Sequence, residues 1–186
     1  MKLFLFLYGI LIRHYTVQPI PSMIEEEYTG KSGVRYIFQY TECDTFDMLP
    51  VELCKQAHSV CFVGKQIAIV HDQIKNTWGL PGGTLKKNES PEQALIRETI
   101  EEVNVQIDIC RPLGFQKVID SRDNSYIYQL RYVSRGTKLG DFAFDPAGSV
   151  DKVLSIDPKD YKEYFIWGKI GESIFQKVGV LQKTLL

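Results

Sequence analysis

Three glutamates, Glu98, Glu101 and Glu102, fall within five residues near the end of a helix-forming segment. At about 100° per residue, their i, i+3 and i+4 spacing makes them neighbours on one helix surface. Leu95, Ile96, Thr99, Ile100 and Val103 share a different arc, the one expected to face a core. The acidic grouping is costly. Two like charges about 4 Å apart repel by roughly 1 kcal/mol in water and roughly 4 kcal/mol at an effective dielectric of 20. The helix dipole disfavours Glu101 and Glu102, in the last turn, by about 0.3–1 kcal/mol each. A cation offsets both costs, and an all-oxygen donor set suits a hard divalent ion, Mg²⁺ or Mn²⁺. Spacing alone more often marks a solvated acidic face, so the surrounding residues decide.

The helix that must carry these groups spans Ser90–Val103 and has the best-marked ends in the chain. Ser90 is an N-cap, Pro91 fits the first helical position, and Gln93 completes a capping box. Asn104 can take the left-handed conformation that stops a helix. A glycine-rich turn, Gly79-Leu80-Pro81-Gly82-Gly83, precedes it. Before that turn, Ser59–Val63 and Gln66–His71 read as two strands joined at Gly64-Lys65, a hairpin signal. Val34–Tyr40, Val105–Cys110, Gly114–Ile119, Ser125–Val133 and Val150–Ile156 also have strand composition. A second amphipathic helix is predicted over Asp160–Val178, weakened by Gly168 and Gly171, with Trp167, Ile170, Ile174 and Val178 on its core side. Strands flanking one helix, with another at the end, predict an α/β fold with a mixed sheet between helices.

Residues 83–105, GTLKKNESPEQALIRETIEEVNV, resemble the Nudix box, G-x5-E-x7-R-E-U-x-E-E-x-G-U with U apolar. Gly83, Glu89, Arg97, Glu98, Glu101, Glu102 and Val105 fall in register. Thr99 replaces an apolar residue and Asn104 replaces the last glycine. Neither change removes a charge: Thr99 can bond back to the carbonyl one turn earlier, and Asn is the next-best residue for a left-handed stop. WGLPGG before the box and DKVLSIDPKDY (Asp151–Tyr161) are also similar to the family, and the likeness covers roughly Ser59–Val178.

The resemblance implies a Nudix-like α/β/α sandwich around a mixed β-sheet, and a pyrophosphohydrolase that cleaves a phosphoanhydride bond in a nucleoside diphosphate derivative or nucleotide. It implies Mg²⁺ (or Mn²⁺) held by Glu98, Glu101 and Glu102, with Glu102 the most rate-sensitive, and by the backbone carbonyl of Gly83. Arg97 would pair with Glu89 and tie the loop to the helix. The general base stays open between a box glutamate, Asp120 and Asp123, since Ser149 stands where many relatives have an acid; each loop aspartate also reads as a turn residue. The substrate is expected to be a small nucleotide or nucleotide sugar. The stretch Val118–Ser125 lacks both the proline of ADP-sugar hydrolases and the tyrosine of diadenosine polyphosphate hydrolases. The alternatives are a non-catalytic nucleotide-binding module of the same fold, an isoprenoid-diphosphate isomerase (disfavoured because Cys61 and Cys110 sit in apolar runs) and an RNA-end hydrolase.

The bulk properties agree with a small-molecule enzyme. The 186 residues are 44% hydrophobic and 24% charged, ordinary for a globular domain. A formal net charge of −1 offers no global field for DNA or an anionic membrane. Pro19, Pro21 and Ser22 mark a boundary, giving an N-terminal segment 1–22 and a single hydrolase domain 23–186. Met1–Ile12 is apolar but too short to span a bilayer as a helix. It reads as a segment docked on the core, and as a contact for a homodimer. The four cysteines form no CxxC pair and are expected to be reduced thiols in a cytoplasmic protein. Trp78 is expected to pack under the sheet edge rather than stack on a base. Tyr126, Tyr128 and Tyr132 alternate as on any half-exposed strand, and His58 and His71 read as hydrogen-bonded core-edge groups.

Overall fold

A computed structural model describes residues 23–185 apart from Lys31. The segment 1–22, with Met1–Ile12 and the dimer contact expected through it, lies outside the described residues.

The described strands form one sheet. β1 (Ile24–Thr29), β2 (Arg35–Glu42), β7 (Val105–Asp120), β8 (Tyr126–Lys138), β3 (Cys54–Val63), β4 (Gln66–Asp72) and β5 (Thr77–Gly79) lie in that order, with β6 (Gly82–Thr84) on β3 and β9 (Val150–Ile156) on β4. β3 and β8 run parallel and the other pairs antiparallel, so the sheet is mixed. The Gly64-Lys65 hairpin is present, with Val63 opposite Gln66.

Side-chain alternation assigns the two faces. Val60 and Phe62 of β3 and Val133 of β8 pack with Tyr40 under α2 (Gly168–Leu185), against Ile174 and Val178. The intervening Ala57, Leu130 and Tyr132 pack with Leu95 of α1 (Pro91–Val103). The result is the expected α/β/α sandwich.

Three details depart from the sequence expectation. β1 was not anticipated, because IEEEYT lacks an apolar period. Its glutamates are individually employed: Glu25 accepts from Gln39 and Glu27 pairs with Arg35, both on β2, while Glu26 reaches α2. Val105–Cys110 and Gly114–Ile119 are one strand, carried past Pro112 by a register shift between Pro112 and Gly114. The helix expected over Asp160–Val178 is a short 3-10 turn, Pro158–Glu163, followed by α2. The break falls at Gly168, in a left-handed conformation at φ +51°. There the Glu26 carboxylate accepts from the free N–H groups of Lys169 (2.8 Å) and Ile170 (3.4 Å).

Candidate functional site

α1 is fixed at both ends and along its inner face. Ser90 Oγ accepts from Gln93 N, and the Gln93 side chain accepts from Ser90 N. Asn104 stops the helix at φ +53°, and its side chain donates to Asp141 O. Ala94, Leu95, Thr99 and Val103 are buried, and Thr99 Oγ1 donates to Leu95 O at 2.7 Å. The hydroxyl is thus satisfied one turn back, and its methyl occupies the apolar position.

The three glutamates do not share one environment. Glu102 is buried, with 7% of its surface exposed, and accepts from Gly82 N at 2.8 Å. Glu98 is half-buried and lies against Gly83, where a Cβ would meet Glu98 Oε1 at 2.5 Å. Glu101 binds Arg97 Nη1 at 3.1 Å, and Lys86 Nζ lies 3.9 Å from it. The helix explains the split. Glu98 and Glu102 are four residues apart and nearly superposed, whereas Glu101 stands four residues after Arg97 and falls beneath it.

Arg97 organises the loop as well. Its Nε and Nη2 donate to the two Glu89 oxygens at 2.8 and 2.9 Å, and Nη2 also donates to Thr84 O. Nη1 pairs with Glu98 at 2.8 Å. The fork to Arg97, helped by the Lys86 N–H, pulls Glu89 down to about 2. Glu102 has the opposite fate. Burial pushes it up to about 8; the Gly82 N–H opposes this, and the negative charges of Glu98, Asp145 and Asp72 add to it. Burial also raises Glu98, against the pull of Arg97.

Gly82 permits the arrangement. At φ +139° it adopts a conformation side chains avoid, and a Cβ there would strike Ala57 O and the His58 Cα of β3. The turn thereby lies flat on β3 and turns its N–H to Glu102.

Gly82, Gly83, Glu98 and Glu102 line one side of a cavity of about 550 Å³. Gln56, His58, Gln129, Arg131 and Trp167 line its floor. Sequence reasoning missed Arg131, Gln56 and Gln129, whose proximity depends on the parallel register His58–Arg131 and Gln56–Gln129. It also missed Asp145, which is buried and accepts from Ser149 N and Oγ and from Val150 N. His58 departs from expectation, since its Nδ1 has no hydrogen-bond partner. His71 is bonded, to Asp151 at 2.6 Å and to Asn76. Trp78 packs edge-on against Tyr164. Asp120 forks onto Arg122 and Asp123 caps Ser125 N, so both hold the β7–β8 turn, and neither lines the cavity.

Among the described residues no three carboxylate, histidine or cysteine side chains converge closely enough to hold a metal ion. The donors present nevertheless suit a hard cation. They are all oxygen, the Glu98 charge raises the proton affinity of Glu102, and Gly83 lines the same cavity.

A family model for the Nudix domain matches residues 53–168. The chain belongs to the Nudix family. The match begins before Ser59 and stops short of Val178, inside α2 at its first residue. Diphosphoinositol polyphosphate phosphohydrolase 2 of Mus musculus is 30% identical over 80 residues, 41% of this chain and 45% of that protein. The chain thus spans under half the length of that relative. Diphosphoinositol polyphosphate phosphohydrolase 3-beta of Bos taurus is 30% identical over 144 residues, 69% of this chain and 85% of that one. Among solved structures, the Bacillus subtilis pyrophosphohydrolase BsRppH shares the fold with a TM-score of 0.62 at 18% identity, over 83% of this chain and 96% of that one. Among the described residues no helix is long and apolar enough to cross a membrane, and the four cysteines are free.

Proposed function

We propose that this Nudix chain is a Mg²⁺-dependent pyrophosphohydrolase acting on the diphosphate of a nucleoside diphosphate derivative or nucleotide, as a cytoplasmic enzyme and a homodimer. The observation that carries the reading is the pairing of Glu98 with buried Glu102 on the wall of one cavity, beside a turn whose glycines leave room for them.

Glu98, Glu102 and the Gly83 carbonyl would hold the ion, joined by Glu101 on release from Arg97. The ion would neutralise phosphate oxygens and lower the pKa of a bound water. The chain's own groups set the geometry. The Gly82 N–H fixes one Glu102 oxygen, and Arg97 Nη1 fixes Glu98. In the ion-free protein Glu102 keeps its proton up to about pH 8, so loading the site releases it. The lining supports a substrate with few phosphates over a polyphosphate. Its cationic residues are Lys75, already paired with Asp72, and Arg131.

The test is a screen of nucleoside diphosphate derivatives with Mg²⁺, followed by Glu102→Gln on the best substrate. Changing even an outer partner of a metal ligand costs about 10–100-fold. Turnover should therefore fall by more than about a hundredfold. Near wild-type turnover in that variant would overturn the reading.

A further inference from the structure

Among the described residues two buried side-chain atoms lack a hydrogen-bond partner, His58 Nδ1 and Arg131 Nε, and both residues line the cavity. They are cross-strand neighbours, and Gln56 and Gln129 form the next pair on the same face. The row has a forced polarity, because an arginine side chain can only donate. Arg131 Nη2 donates to Gln129 Oε1 at 2.8 Å and to Gln116 Oε1 at 3.4 Å. Both amides must therefore turn their oxygens toward it. That leaves Gln129 Nε2 as a donor, and it bonds Gln56 Oε1 at 2.7 Å. Every amide oxygen in the row thus already accepts one hydrogen bond. The atom of the row that remains without a partner, Arg131 Nε, is a donor.

The charge is uncompensated too. No carboxylate pairs with Arg131 among the described residues; the Trp167 ring lies 6.0 Å from the guanidinium carbon. Burial pulls the guanidinium down to about 10. The unpartnered Arg131 Nε calls for an acceptor. A neutral carbonyl would satisfy the bonds but leave the charge, and an anion satisfies both.

We propose that the row Gln56–Gln129–Arg131 is an anion subsite that takes a phosphate of the substrate other than the scissile diphosphate. This rests on the hydrolase reading for its role, but its binding can be measured without turnover. Gly82, against which Glu102 is fixed, and Arg131 flank His58 on opposite sides. The subsite therefore stands about two strand spacings, roughly 10 Å, from the carboxylates.

The experiment is calorimetric titration of the protein in EDTA with adenosine, adenosine 5′-monophosphate and guanosine 5′-monophosphate. Adenosine 5′-monophosphate should bind at least about tenfold more tightly than adenosine, the factor one charge-assisted hydrogen bond supplies. Arg131→Met, which swaps an unpaired buried charge for an apolar chain of similar length, should erase the difference. So should Gln56→Glu, which puts an acceptor at the exposed end of the relay and keeps Arg131. Equal binding of the two adenosine ligands, or a preference for guanosine that Arg131→Met removes, overturns the proposal. With Mg²⁺ restored, the ratio of kcat/KM for NADPH and NADH reads the same subsite in turnover. A binding difference with no hydrolysis of any diphosphate would sink the hydrolase reading and leave the subsite standing. Hydrolysis with a ratio unaltered in Arg131→Met would do the reverse.

Discussion

Replacing Arg97 with alanine tests the organisation of the whole acidic loop. The guanidinium makes two bonds to Glu89, one each to Glu98 and Glu101, and one to the Thr84 carbonyl. The side chains are 19% exposed for Arg97, 13% for Glu89, 14% for Glu98 and 27% for Glu101. That places the cluster between the surface regime, where a pair is worth about 0–1 kcal/mol, and the buried one, where removing a partner costs about 3–5 kcal/mol. Most of the cluster sits nearer the second, so Arg97→Ala should cost about 3 kcal/mol. For a domain of this size that is a fall in Tm of roughly 6–12 °C. Arg97→Lys keeps the charge but loses the fork, and should recover about half. The assay is thermal and urea unfolding in EDTA, with Glu89→Gln completing a double-mutant cycle. The acid limb supplies a further check. The folded Glu89 titrates near 2, below its ordinary value of 4.5. Its contribution is therefore complete above pH 4.5 and fades as pH falls toward 2. The gap between wild type and Arg97→Ala should narrow over that interval. A Tm within about 2 °C of wild type at pH 7, with no coupling to Glu89, would refute the reasoning.

Gly82→Ala should be among the most damaging single changes in the chain. The new Cβ meets the backbone of Ala57 and His58, which cannot rotate away, at a φ of +139°. A loss above about 3 kcal/mol is expected from strain and displaced strand pairing together, and soluble protein with an unchanged melting curve would contradict it. Glu102→Gln should stabilise the ion-free protein even as it removes activity. The folded carboxyl is raised to about 8. Folding therefore opposes ionisation above pH 4.5, and the penalty grows until about pH 8. The variant should gain roughly 2–3 kcal/mol at pH 7 and nothing at pH 4, and millimolar Mg²⁺ should narrow the gap by stabilising wild type alone. Equal unfolding curves at pH 4 and pH 7.5 would show that the carboxylate is not held at a cost.

The residues that announced themselves in sequence act through neighbours close in the chain. Ser90, Gln93 and Asn104 set the ends of α1 by local hydrogen bonds, and Val150–Ile156 is a strand by composition with the bounds expected of it. Arg97 and Glu89 are eight residues apart and meet across one loop. What stayed hidden depends on distant partners. β1 is acidic in sequence because its glutamates satisfy β2 and the start of α2, more than 140 residues on. Pro112 reads as a strand breaker until the extra residue beside it absorbs the break. Arg131 looks like an outward strand residue, and only the parallel register with β3 shows that it forms a cavity floor. The division of the three glutamates was hidden for a different reason: helical spacing made them neighbours, but Arg97 and the Gly82 N–H decide which of them face the cavity.

The cavity is electrically two-ended, and that constrains the order of events. Glu98 and Glu102 form one wall and Arg131 the floor, about 10 Å apart by strand spacing. At an effective dielectric of 20, a single charge is felt across that distance at about 1.7 kcal/mol. A diphosphate entering the ion-free site meets a protonated Glu102 and an Arg97-bound Glu98 at the wall, finds no free positive charge there, and is drawn to the floor. With a divalent cation held by Glu98 and Glu102, both ends would attract anions and the substrate would span them. Metal should therefore tighten substrate binding far more than it tightens binding of a lone phosphate on the floor. Arg131 would set which end of the molecule is held, and the carboxylates would set which bond is broken.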